Sequence, residues 1–265
     1  MTDLLEIDDL RIRFEGAPGH AVDGVSITVP AGRRVGIIGE SGSGKSVTAM
    51  SILRLNDERI MSYSDDSAIR YRGEDLLTAP ASRLRQVRGA EISMIFQDPM
   101  STLNPVFTVG EQIVDVLRAH RPYSKAAARP VVVETLQTVG IRDAERVFDR
   151  YPHELSGGMQ QRVMIAMAIS SRPALLIADE ATSALDVTVQ AAVLETLGSL
   201  ADNLGMAVLM ITHDMGVVAR FCDDVYVMNG GAVVEHGPVA DVLTAPAHPY
   251  TQKLLAAVPR VRPVA

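Results

Sequence analysis

The 265 residues contain no Trp and a single Cys, Cys222, and aromatic residues make up only 4% of the chain. One cysteine excludes an internal disulfide and a Cys-rich metal site. With so few rings, the core has to rest on Val, Ile, Leu, Ala and Met. Long apolar runs are missing too, so nothing in the sequence can span a bilayer as a helix. The opening stretch MTDLLEIDDLRIRFEG is acidic rather than basic-then-apolar, which is not a secretory signal pattern. The expectation is a protein that stays in the cytoplasm. Basic charge is in deficit, with a net charge of −7. That argues against nucleic acid as the main partner and against general adsorption to a bilayer. A membrane role would have to run through a protein partner.

What is present suits one or two compact domains: 47% hydrophobic and 22% charged residues, enough for a real core. Residues 4–14 and 22–29 alternate roughly and predict strands. Residues 35–39 (VGIIG) form a short apolar run ending in glycine, a buried strand feeding a loop. Helical spacing follows over 46–55, and 56–72 reads as a polar, irregular surface excursion. A second buried strand is expected at 92–96. Helical patterns run from Val109 to about Ala128 and from Pro130 to Val139, punctuated at Arg129-Pro130. Tyr151-Pro152 breaks the chain before a buried helix at 159–171. Buried strands at 174–179 and 207–212 flank a helix at 187–204. Residues 226–237 predict a hairpin turning at Asn229-Gly230-Gly231. Strands alternating with helices mean an α/β fold with a mainly parallel sheet. The helical block near 98–160 interrupts that alternation and reads as an inserted helical subdomain.

Residues 39–46, GESGSGKS, match a phosphate-binding loop placed between a strand and a helix. Gly39, Gly42 and Gly44 let backbone N–H groups, including those around Ser41 and Ser43, turn toward one anion. The helix expected from Ser46 and Val47 onward adds the positive end of its dipole. Lys45 suits the terminal phosphates, and the Ser46 hydroxyl suits Mg²⁺. Farther on, the apolar run LLIA delivers Asp179 and Glu180 to a strand's carboxyl end. Asp179 is the candidate Mg²⁺ ligand. Glu180, pointing elsewhere because side chains alternate, is the candidate for polarising an attacking water. A turn that binds nothing, or acids that merely begin a loop, would lack these flanking elements.

A second Gly-rich element, LSGGMQQR at 155–162, is the most specific feature of the chain. Together with GESGSGKS and LLIADE it resembles the ATP-binding subunits of ABC transporters over nearly the whole length. The resemblance implies the ABC ATPase form of the P-loop fold, with an N-terminal antiparallel β subdomain. It divides the chain into a core at 1–97 and 160–240, a helical subdomain at 98–159 and an extension at 241–265. It also implies that Ser156, Gly157, Gly158 and Gln160 face ATP held by a second subunit, so that ATP joins two subunits. Asp186, in SALD, resembles the loop that contacts that subunit. Gln97 matches a glutamine that senses the γ-phosphate and Mg²⁺, His213 a switch histidine at the γ-phosphate, and Phe14 the aromatic ring stacked on adenine. A phenylalanine at the end of a strand can equally be a core residue. The other five histidines read as surface or packing residues.

Several stretches resemble the dipeptide and oligopeptide importer branch: GESGSGKSVTA, FQDPMSTLNPVFTVGEQI, LSGGMQQRVMIAMAI and APAHPYTQKLLAAVPR. The last is Pro-rich and suggests packing along another surface. Nickel and glutathione importers share much of this pattern. The branch implies a second ATP-binding subunit (a different chain), two membrane permease subunits, and an extracytoplasmic binding protein acting indirectly. Such a subunit sits on the cytoplasmic face of the membrane. Branch members often carry a Cys-rich tail that holds an iron–sulfur cluster, and with Cys222 alone no cluster is expected here. A non-transport ABC ATPase acting on DNA or the ribosome is disfavoured by the single cassette and the acidic balance. A cassette that binds ATP without hydrolysis is disfavoured by Glu180 and His213.

Overall fold

A computed structural model describes residues 3–96, 102–181 and 186–257. Along the chain it runs β1 (Asp3–Phe14), β2 (His20–Pro30), β3 (Arg34–Ile38), α1 (Lys45–Ile52), β4 (Met61–Tyr63), β5 (Ala68–Tyr71), β6 (Glu74–Asp75), α2 (Ala81–Val87), β7 (Ile92–Ile95), α3 (Val109–His120), α4 (Lys125–Thr138), α5 (Ala144–Phe148), a 3-10 turn (Pro152–Glu154), α6 (Gly157–Ile169), β8 (Leu175–Asp179), α7 (Val187–Leu204), β9 (Ala207–Thr212), α8 (Met215–Phe221), β10 (Asp224–Asn229), β11 (Ala232–Pro238), α9 (Val239–Thr244) and α10 (Pro249–Ala256). The chain forms two compact units. Among the described residues, one comprises Pro30–Gly32 and Thr78–Leu209; the other comprises Asp3–Val29, Arg33–Leu77 and 210–257. Strand β9 runs across the division.

The unit that begins at Asp3 carries the antiparallel sheet. β1 pairs antiparallel with β4 and with β5, and β5 with β6. Strands β1 and β2 each change the face they bury midway: Ile7 then Leu10, and Val22 then Val25, are buried. The switch falls where Asp9 (φ 42°) and Gly24 (φ 71°) take left-handed backbone, a conformation that Gly and Asp tolerate best. Here the structure corrects the expectation of an irregular stretch at 56–72. β4 and β5 lie within it, and Ile69 and Tyr71 are fully buried on β1. Strands of three and four residues are too short for their alternation to stand out among Asp and Ser.

In the same unit β10 lies parallel to β3, and β10 and β11 form the expected hairpin. Gly230 (φ 56°) and Gly231 (φ 87°) make its two-residue turn, which needs positive φ at both positions. Ile38, Met215, Val218, Val225, Val227, Val239 and Val242 form one buried cluster, on which Tyr250, Leu254 and Leu255 of α10 pack. The described part of the Pro-rich C-terminal stretch thus packs on the chain's own core.

In the other unit β7 and β8 are parallel, Ile92 opposite Leu175 and Ile95 opposite Ala178. Every residue of β8 is buried, as expected of a strand covered on both faces. Helix α4 packs on α3, α5 and α6. The sequence placed a break at Arg129-Pro130, but the structure puts it at 121–124, and Pro130 lies inside α4. Ser124 restarts the helix by accepting from the Ala127 amide at 3.2 Å. Pro130 removes one backbone hydrogen bond, and burial of Ala128, Val132, Val133 and Leu136 holds the helix together. No described helix is long and apolar enough to cross a membrane.

Candidate functional site

The phosphate-binding loop lies in the unit that holds β3. That strand ends at Ile38, and the loop closes with Ser43 donating from its amide to the Glu40 carbonyl at 3.2 Å. Two glycines are demanded by close approach. A Cβ on Gly39 would stand 2.2 Å from the Met228 carbonyl oxygen, and one on Gly44 (φ 97°) would stand 2.7 Å from that of Ala21. Gly42 differs, because a Cβ there would meet nothing within 4 Å. The outer rim of the loop is therefore open, while its base is clamped between strands.

Lys45 is 5% exposed. Its ammonium donates to the carbonyls of Gly39 at 2.8 Å and Glu40 at 2.9 Å, with the Ser43 hydroxyl at 3.4 Å. The side chain is thus folded back along the loop it belongs to. Gly44 is the N-cap of α1 and supplies no side-chain cap, so the positive end of the helix faces the loop. A buried ammonium, a helix N-terminus and an open glycine rim together suit a phosphate group. Phe14, at the end of β1, is half-buried and lines a cavity of about 390 Å³ with Arg59, Ile60 and Met61. His213 is exposed, directly after β9. The turn around it is pinned, since the Asp214 amide donates to Thr212 Oγ1 at 3.0 Å and the Asp214 carboxylate caps α8 through Gly216 at 2.8 Å.

The other unit holds the acidic strand end and the second glycine element. Asp179 closes β8 and is 8% exposed. Glu180 follows with φ +47°. A glutamate held in left-handed backbone costs about 1 kcal/mol or more. The strand ends at Asp179, and the left-handed backbone at Glu180 turns the chain out of it. The carbonyl of Ala181 accepts a short hydrogen bond from the Gln161 side chain of α6, tying the helix that begins at LSGG to the chain just after Glu180.

Ser156 is the N-cap of α6 and makes no side-chain cap bond. Both Ser156 and Gly157 are exposed. A Cβ on Gly157 would meet nothing within 4 Å, whereas one on Gly158 would stand 3.1 Å from Val189 Cγ1. Packing within the chain therefore explains Gly158 but not Gly157. Gln160 is buried, and its amide donates to the carbonyls of Pro152 at 2.9 Å and Leu155 at 3.3 Å. It braces the turn that presents the glycines. Asp186 caps α7 through the amides of Thr188 and Val189 at 3.1 and 3.0 Å, and the neighbouring Val187 is 79% exposed. Gln97 lies outside the described residues, as do 182–185 of the SALD loop.

One contact went unread in the sequence: the Tyr250 hydroxyl accepts from the Glu40 amide at 3.0 Å. Tyr250 sits in the stretch singled out only as branch character, and no local pattern links it to the loop.

The ABC transporter family profile matches residues 22–183. A second profile, the C-terminal region of oligopeptide/dipeptide transporters, matches residues 234–265. The chain is 51% identical over 258 residues to the probable D,D-dipeptide transport ATP-binding protein DdpD of Escherichia coli, covering 97% of this chain and 78% of that one. It is 48% identical over 264 residues to the oligopeptide transport ATP-binding protein AppD of Bacillus subtilis, covering 98% and 79%. Its fold matches the ATP-binding cassette MJ0796, solved as a dimer bound to ADP and Pi, with a TM-score of 0.78 at 25% identity, covering 89% of this chain and 98% of that one. With a glycine loop that suits phosphate, a second glycine element at the head of α6, and family matches that span both, the chain belongs to the ABC transporter family.

Proposed function

We propose that the chain is the ATP-hydrolysing subunit of an importer for di- and oligopeptides. The observation that carries the reading is the Lys45 ammonium, buried on the carbonyls of its own loop at the head of α1. Lys45 meets the terminal phosphates, while Gly39, Ser41, Gly42, Ser43, Gly44, Ser46 and Val47 line them with backbone. Phe14, which lines an open cavity, stacks on adenine. Ser46 and Asp179 supply hard oxygen donors of the kind Mg²⁺ takes, and Gln97 is the third candidate ligand. Bound Mg²⁺ would offset phosphate charge and orient the terminal group. Glu180 polarises the attacking water, and His213 orients the γ-phosphate.

Gly157 supports the two-subunit arrangement. Its Cβ position is open and its own chain does not need it to be glycine, as expected if the partner subunit's nucleotide approaches there, with Ser156 and Gly158 beside it. Exposed Val187 next to Asp186 suits the contact between subunits. Val106 and Phe107 are 71% and 48% exposed in the helical block. Large apolar side chains left open this way suit a protein surface, and we assign them to the membrane permeases. The subunit thus works peripherally at the cytoplasmic membrane face, on the helical subdomain at 98–159. The peptide assignment rests on the names of the two relatives and on the matched C-terminal region.

Glu180→Gln tests the mechanism. The variant is expected to bind ATP normally, to hydrolyse it at less than about one-hundredth of the wild-type rate, and to accumulate as the ATP-bound dimer by size exclusion. Normal turnover would remove Glu180 from the role.

A further inference from the structure

The peptide unit between Gly39 and Glu40 is gripped at both ends. Its carbonyl, on Gly39, accepts from the Lys45 ammonium at 2.8 Å. Its amide, on Glu40, donates to the Tyr250 hydroxyl at 3.0 Å. No described peptide bond is cis, so the two groups point in opposite directions within one rigid plane. Tyr250 therefore fixes the orientation of the carbonyl that holds the lysine. An amide that is itself hydrogen-bonded also makes its carbonyl a better acceptor.

The tyrosine is well placed to act as a fixed point. Its ring packs on the cluster built from Ile38, Val225, Val227 and Val242, and Ile38 is the residue before the loop. The start of α10 is held independently. Glu235 on β11 accepts from the amides of Ala247 at 2.7 Å and His248 at 3.1 Å. His248 in turn caps the helix by accepting from the Tyr250 amide at 3.2 Å. Burial works to raise the Glu235 carboxyl, but hydrogen bonds from its partners outweigh burial and hold it below the usual carboxylate range. The clasp is thus charged at neutral pH.

We propose that Tyr250 is a positioning residue of the nucleotide site. Through its hydroxyl, the C-terminal helix sets the Gly39–Glu40 peptide that seats Lys45, so the C-terminal region takes part in ATP binding as well as in packing. The inference rests on the reading of Lys45 as the phosphate-binding lysine.

The test uses the full chain, with MgATP as the probe in calorimetric titrations and Tm measured without nucleotide. Tyr250→Phe keeps the ring and removes the hydroxyl. It is expected to weaken ATP binding about three- to tenfold, the loss of one hydrogen bond, with nucleotide-free Tm unchanged. Leu254→Ala, on the same helix and the same cluster, is expected to lower Tm and leave ATP affinity as in wild type. Tyr250→Phe binding ATP as wild type does would overturn the proposal. So would an affinity loss in Leu254→Ala matching that of Tyr250→Phe, because packing alone would then account for both. If wild type itself fails to bind MgATP, the reading of Lys45 falls first, and that outcome is told apart by the wild-type titration.

Discussion

At the residue scale, the phosphate loop is shaped by two kinds of glycine. Gly39 and Gly44 are glycine because neighbouring backbone leaves no room for a Cβ. Gly42 has free space around it, but its backbone, at φ 80°, lies in the left-handed region that favours glycine. Gly39→Ala would drive a methyl group to 2.2 Å from a carbonyl oxygen on β10, where backbone rather than a flexible side chain must yield. It is expected to cost about 2 kcal/mol and to lose ATP binding through displacement of the carbonyl that holds Lys45. Thermal melts and ATP titration of the variant check both effects. This loop was legible from sequence because all its parts are local: eight consecutive residues, a strand before and a helix after. Tyr250 was not, because its partner Glu40 lies 210 residues away and a tyrosine between Pro249 and Thr251 carries no local mark of its target. The strain at Glu180 was also invisible, since the pair Asp179-Glu180 reads the same whether the second residue continues the strand or turns out of it.

At the element scale, the buried parallel strands and long helices were read closely, and short or interrupted elements were not. The helix at 187–204 and the strand at 207–212 fall where the periodicity put them, because each carries enough apolar residues to declare its repeat. β4 and β5 escaped notice since only Met61, Ala68, Ile69 and Tyr71 of their seven residues point to a core. Pro130 misled in the other direction, because local punctuation loses to tertiary burial when a helix has three neighbours to pack on. Helix α3 shows a cap with a definite energy. Thr108 Oγ1 accepts from the Glu111 amide at 3.3 Å, and Glu111 Oε2 accepts from the Thr108 amide at 3.0 Å, a capping box. Those bonds hold the Glu111 carboxyl below its ordinary range, with the Thr108 amide the largest cause. Thr108→Ala should destabilise the helical block by about 1 kcal/mol, seen as faster amide exchange in α3. ATP binding should stay unchanged, since the loop lies in the other unit.

At the scale of the whole molecule, each unit presents a different half of the chemistry. One offers a glycine-rich loop that suits an anion, its lysine seated on the loop's carbonyls and its Glu40 amide held by Tyr250 of the C-terminal helix. The other offers a buried aspartate, a strained glutamate and an exposed glycine-headed helix tied to them through Gln161. An uncommitted Gly157 and the exposed Val187, Val106 and Phe107 fit the proposed assembly with further subunits. The acidic balance of the chain, which argued early against nucleic acid, agrees with a subunit whose partners are proteins. Uptake of labelled di- and oligopeptides, with nickel and glutathione alongside, by cells holding the complete cognate system is the most direct measurement of the central claim. Wild type is compared with Glu180→Gln. The account predicts peptide uptake that collapses in the variant. Peptide uptake that survives while nickel or glutathione uptake is lost would contradict it.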